Sequence, residues 1–152
     1  MPFLLATLLS IYVYAQSNNQ TSETISKVEF GSAQIAVKDA TLSVEYAHNF
    51  QQRARGLMYR QDMCENCGML FEFDYARTAG FWMKNTLIPL DIAYIDSDGV
   101  IADIKPMYPL VLKSVPSSRE VLYALEMNQG WFNKQGINVG DRMQIISRTL
   151  AK

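Results

Sequence analysis

Histidine and cysteine are scarce in this sequence: 152 residues hold one histidine, His48, and two cysteines, Cys64 and Cys67. A zinc centre draws on four nitrogen or sulfur ligands, usually from two ligand pairs, and this inventory does not supply them. A charge excess is missing as well, since 14 basic side chains face 15 acidic ones for a formal net charge of -1. That overall balance gives no electrostatic reason to expect nucleic acid or an anionic membrane surface as partner. The chain has no GxSxG, no HExxH, no glycine-rich phosphate loop and no Walker pattern. No standard nucleophile, metalloprotease or nucleotide site is therefore announced, and no cofactor or resident metal is expected. Finally, no apolar run reaches the roughly 20 residues of a membrane-spanning helix.

The longest apolar run, MPFLLATLLSIYVYA at residues 1–15, carries no charge and ends in the small-residue pattern Val13-Tyr14-Ala15. It reads as the apolar region and cleavage site of a secretory signal peptide, although no Lys or Arg precedes it; an uncleaved anchor is the weaker alternative because the run is short. Residues 16–27 follow as a polar tether without aromatics, too poor in apolar side chains to fold by themselves. The expected product is an exported protein, periplasmic or extracellular, with no stable membrane span after signal cleavage and one folded domain over residues 28–149.

That domain is organised around Gly80–Asp96, GFWMKNTLIPLDIAYID. Three aromatics, a proline and a long, partly β-branched apolar run read as two strands joined by a tight polar loop. Upstream, Ala33, Ile35 and Val37 alternate with polar residues, as do Leu42, Val44 and Tyr46 across the turn Lys38-Asp39-Ala40; this is a hairpin with one buried face. Asn49 is a good N-cap for a short helix in FQQRARGLMYR, where Phe50, Ala54, Leu57 and Met58 have helical spacing and are expected to pack over the hairpin. Gly56 inside that helix suggests close approach by another element. GMLFEF (68–73) is a strand, with a connection over 74–79. Ser97-Asp98-Gly99 turns LDIAYID into VIADIKPM, with Pro106 and Pro109 ending the second strand. Residues 110–119 read as a surface loop, VLYALEMN (121–128) as a strand, 130–136 as one helical turn stopped by glycine, and RMQIIS as a last strand. Seven or eight strands joined by tight turns imply antiparallel pairing in a mostly β (α+β) domain, barrel-like or two-sheet, with one short helix and one helical turn.

Four blocks, RGLMYR, GMLFEF, FWMKNTLIPLDIAYID and ALEMNQGWFNKQGINVGD, resemble in order and spacing the domain of unknown function 192 family, small and often exported prokaryotic proteins. The resemblance runs from about Val44 to Ile146. It implies a small β-rich fold and frequent export, and it implies no activity. The CENC loop, Cys64–Cys67, stands apart, because that loop is usually polar and variable in sequences similar to this one.

Three constellations carry chemistry. Cys64 and Cys67, in an exported chain, are expected to form a structural disulfide; a thioredoxin-like site would want a helix amino terminus after the first cysteine, and here Gly68 and a strand follow. With Met63 and Met69 the same sulfurs make a soft set suited to Cu(I), although Met69 reads as core. Asp91 and Glu126 lie in apolar strands and are expected to be buried. If they met in one cleft they could serve a hydrolase as acid and base; the preferred reading is structural ion pairing with Arg55, Lys84 or Arg142. Lone His48 reads as a surface or capping residue. The third constellation is a shallow groove lined by Arg55, Met58, Trp82, Asn85, Thr86 and Asp91, apolar walls with polar anchors for a small ligand, a peptide or a glycan. The leading function is an exported accessory or ligand-binding domain. A hydrolase through Asp91 and Glu126, a redox enzyme through Cys64 and Cys67, and a copper-handling protein are the alternatives.

Overall fold

The computed structural model of the protein describes residues 28–151. The expected signal peptide and the whole of the expected tether, residues 1–27, lie outside the described residues. The first hairpin forms as the alternation requires: β1 (Gly31–Val37) pairs antiparallel with β2 (Ala40–Ala47), with Ile35 opposite Leu42 and Ala33 opposite Val44. All six alternating apolar residues are buried, and Lys38 takes φ 50° in the two-residue turn.

Helix α1 (Phe50–Arg55) departs from the expectation in length and facing. Asn49 caps it as expected, accepting from the Gln52 N–H at 2.9 Å. Gln52 completes a capping box, and its Nε2 donates to the Glu29 carbonyl at 2.8 Å. The inward side chain is thus Gln52, while Phe50 is 78% exposed. Spacing alone favoured Phe50, but satisfying the orphan N–H groups of the first turn with Gln52 fixes which face turns inward. Gly56 does not lie inside the helix. It ends it at φ 46°, and a Cβ there would sit 3.4 Å from the Phe71 ring, so close approach does occur at this glycine.

Strand β3 (Gly68–Arg77) runs through the expected connection at 74–77 and pairs parallel with β2, Tyr46 opposite Leu70. All other strand pairs are antiparallel, as expected, and β2–β3 is the exception. A parallel pair needs a crossover, and α1 with the CENC loop supplies it. Strand β5 (Leu90–Ile95) turns at 97–99 into β6 (Ile101–Met107), where Asp96 Oδ1 accepts from the Val100 N–H at 2.9 Å and Gly99 takes φ 82°. Pro106 sits within β6 instead of ending it, and β6 is an edge strand, where a missing N–H costs no ladder bond. Strand β8 (Val121–Asn128), helix α2 (Trp131–Lys134) and β9 (Met143–Thr149) complete the chain. The expected loop at 110–119 contains β7 (Val115–Pro116), which pairs with β4 (Gly80–Phe81) as a small second sheet.

The main sheet has seven strands in the order β6-β5-β8-β3-β2-β1-β9. It curls so that its two edges meet at one end through a Val100–Arg142 bridge and an Ile101 N–H to Asp141 carbonyl bond of 2.9 Å, without closing as a barrel. Both faces are covered. One carries Leu70, Ala93, Ile95, Leu125 and Met127 against Trp131, Phe132 and the first hairpin. The other carries Met69, Phe71, Ile92, Tyr94 and Ala124 against Leu57, Met83 and Phe81. Every residue of β5 is consequently buried, which is what a strand covered on both faces requires of LDIAYI.

Candidate functional site

Register decides where the carboxylates go. Ile92 of β5 lies opposite Glu126 of β8, and Asp91 lies opposite Met127. Paired residues share a face and successive residues alternate, so Asp91 and Glu126 project from opposite faces of the sheet. A shared-cleft acid and base cannot be built from them, which removes the hydrolytic dyad. Asp91 Oδ2 instead accepts from the Gly130 N–H at 2.7 Å and so fixes the left-handed glycine (φ 85°) that starts α2. Its expected place in the groove is corrected: it braces the β8–α2 turn on the other face.

Glu126 behaves differently. It is 5% exposed and appears in none of the ion pairs among the described residues, so the expected pairing with Lys84, Arg55 or Arg142 does not form on it. Burial alone pushes its carboxyl up to about 8, so it is mostly protonated at pH 7. It opens onto a small cavity of about 40 Å³ lined by Arg55, Met58, Trp82 and Thr86, with Phe71 and Phe81 behind. Four of the six predicted groove residues are thereby brought together, with a buried carboxyl as their floor. The volume is room for one or two water-sized groups.

The groove walls are held by backbone and side chain. Asn85, at φ 55°, donates from Nδ2 to the Tyr59 hydroxyl at 2.7 Å, while the Tyr59 N–H donates to the Asn85 carbonyl at 2.7 Å. Asn85 therefore clasps the turn after α1 to the loop after β4 and does not line the cavity. The Arg55 guanidinium lies 4.6 Å over the Tyr59 ring, and the Lys84 ammonium 5.3 Å from the Trp82 ring. Trp82 itself is half exposed, so its ring forms a platform at the cavity mouth. Tyr94, its ring 6.0 Å from that of Phe81 and its hydroxyl pushed well above the ordinary value by burial and then by the Glu126 carboxyl, donates to the Val115 carbonyl at 2.5 Å. That Glu126 belongs to this groove was not readable from the sequence, because assigning it there needed the register of β8 against β5.

Cys64 and Cys67 are disulfide-bonded. The loop is pinned by Asn128 Nδ2 to the Cys64 carbonyl (2.8 Å), Trp131 Nε1 to Asn66 Oδ1 (3.0 Å) and a Lys134–Glu65 ion pair. Strand β3 begins at the next residue, so the helix terminus that would activate a thiolate is missing. Met69 is fully buried in the core, and with both cysteine sulfurs bonded to each other the soft copper set is not assembled. Changing both cysteines to serine should lower unfolding stability by about 2 kcal/mol, the chain-entropy value for so small a loop. Urea midpoints of the oxidised protein and the double variant test this, and equal midpoints would deny the bridge a structural role. His48, at the expected strand-to-helix corner, stacks on Tyr46 with ring centroids 5.2 Å apart, and its Nδ1 is buried without a hydrogen-bond partner.

The sequence profile of the DUF192 family, described as Uncharacterized ACR, matches residues 33–145. The chain belongs to the DUF192 family. Two solved structures agree. A protein of Sinorhizobium meliloti, provisionally named a transcription regulator, is 37% identical with a TM-score of 0.75, the match covering 78% of this chain and 97% of that one. A protein of unknown function from Novosphingobium aromaticivorans is 29% identical with a TM-score of 0.67, covering 76% of this chain and 83% of that one. No curated protein matches the chain. DUF192 membership thus fixes the fold of residues 33–145 and leaves the cavity over Glu126 without an assigned role.

Proposed function

We propose that this DUF192 protein is an exported binding domain whose ligand places one small polar group in the Glu126 cavity and lays its remainder on Trp82. The observation that carries the reading is Glu126: a buried carboxyl, in none of the ion pairs among the described residues, facing a cavity instead of solid core. Unpaired buried polar groups are costly to the fold and are retained where they serve a site. Protonated, Glu126 donates a hydrogen bond, which suits a carbonyl or carboxylate oxygen of a small molecule, a peptide or a glycan. The indole at the mouth supplies apolar area, and the cavity orients one group. Export is supported by the uncharged apolar residues 1–15 and by a disulfide whose first cysteine is exposed, a pairing that persists in oxidising compartments. A DNA-regulatory role, suggested by the name of the Sinorhizobium protein, finds no support in the helices among the described residues, which are six and four residues long and too short to read a major groove.

Titrating ¹⁵N-labelled protein with acetate, galacturonic acid, N-acetylglucosamine and triglycine tests this. At least one probe should move the Trp82 indole and Thr86 amide resonances, and Trp82→Ala should weaken that probe by tenfold or more, about 1.4 kcal/mol. Should no probe shift the Trp82 indole at millimolar concentration, or should Trp82→Ala bind as tightly as wild type, the groove is not the site.

A further inference from the structure

Next to the groove the surface changes character. The segments 82–89 and 108–113 form one face, joined by the Met83 N–H to Val111 carbonyl (2.9 Å) and the Leu110 N–H to Thr86 carbonyl (3.1 Å). On it Trp82, Leu87, Tyr108, Leu110, Val111 and Leu112 are all exposed, from 40% for Leu87 to 63% for Leu112. So contiguous an apolar surface marks an interaction site. Its own charge is one-sided: the charged side chains of segments 82–89 and 108–113 are Lys84 and Lys113, with no acid between them. Lys105 is engaged by Asp103 at 3.4 Å, whereas Lys84 and Lys113 are exposed and form no ion pair among the described residues. The net charge of -1 conceals this local asymmetry.

On one face, exposed leucines, two exposed aromatics and two lysines outside any ion pair among the described residues supply the three kinds of group a bilayer interface takes up, where acyl chains, the headgroup boundary and phosphates follow one another. We infer that this face docks the protein peripherally onto an anionic lipid surface. Leu110, Val111 and Leu112 enter the headgroup boundary, Trp82 and Tyr108 lie at its edge, and Lys84 and Lys113 meet lipid phosphates. Nothing in this inference uses Glu126 or a ligand in its cavity. It also needs no spanning segment, and no helix among the described residues is long and apolar enough to cross a membrane.

Residues 1–15 are themselves apolar, so the readout must be local to this face, and Trp82 provides it. The chain has two tryptophans, and Trp131 is buried. With the full chain, vesicles of phosphatidylcholine containing about a quarter phosphatidylglycerol should blue-shift the tryptophan emission, and acyl-brominated lipid should quench it. Lys84→Gln and Lys113→Gln should each raise the lipid concentration at half-effect about 5-fold, from the roughly 1 kcal/mol that one lysine contributes near an anionic surface. Leu110→Asn combined with Leu112→Ser should abolish the quenching while leaving the urea midpoint unchanged, because both leucines are exposed and asparagine suits the φ of 64° at position 110. Three results overturn the inference: no spectral response to anionic vesicles, quenching undiminished in the leucine variant, or a blue shift that grows with protein concentration without lipid, which makes the face an interface between copies.

Discussion

Replacing Glu126 with glutamine should flatten the dependence of stability on pH between about 4.5 and 8 and make the protein more stable than wild type at the upper end. The carboxyl titrates near 4.5 when solvated and near 8 in the fold, because burial disfavours its charged form. Between those values the native state keeps a proton that the unfolded chain has released, so the stability contributed by neutral Glu126 is complete below 4.5 and is lost as pH rises through 8. The loss is on the order of 3–5 kcal/mol for a shift of this size. Glutamine keeps the shape and hydrogen-bonding capacity and cannot ionise, so the two proteins should agree to within about 1 kcal/mol below pH 4.5 and diverge above it. Urea unfolding of both proteins at pH values from 4 to 9 measures the difference directly, cancelling every other titrating group. A wild-type curve that parallels the variant through this window would mean that Glu126 ionises freely and is in contact with bulk water.

Gly68→Ala should destabilise the domain by about 3 kcal/mol, more than an exposed glycine-to-alanine change, which is usually neutral or favourable. A Cβ at position 68 would lie 2.2 Å from Met127 Sδ and 2.4 Å from the Glu126 carbonyl oxygen. The thioether can swing aside, but the carbonyl belongs to the β3–β8 ladder, in which Gly68 sits opposite Met127. Relief therefore requires the two central strands to part. Gly130 offers an internal comparison: nothing lies within 4 Å of a Cβ there, so Gly130→Ala is strained by its φ of 85° alone, at a cost of roughly 1–2 kcal/mol. Thermal and urea unfolding of the two variants should rank Gly68→Ala as the more damaging. The reverse order would show that the β3–β8 contact relaxes easily.

Much of the fold was legible because it follows local rules. Alternation at 33–37 and 42–46, the Asp98-Gly99 turn and the Asn49 cap each depend on a few neighbouring residues, and each formed where it was read. The readings that failed depended on partners distant in the chain. Phe50 had the right spacing for the core, yet Gln52 took the inward place because it bonds the backbone of residue 29 as well as its own helix turn. Residues 115–116 looked like loop, since a two-residue strand gains its identity from its partner at 80–81. Parallel pairing of β2 with β3 left no local mark at all.

The same division runs through the site. By itself the sequence determined which chemical groups were on offer: an aromatic with a nearby lysine, amide and hydroxyl groups, an arginine in a capped helix, two carboxylates in apolar strands, and a closely spaced cysteine pair. It could not say which face of the sheet each carboxylate takes. A one-residue difference in register reverses every side chain of a strand, and the register of β5 against β8 is fixed by long-range packing of both cores. Only the tertiary structure sent Asp91 to the α2 turn, put Glu126 in one cavity with Trp82 and joined segments 82–89 and 108–113 into a face with six exposed apolar side chains.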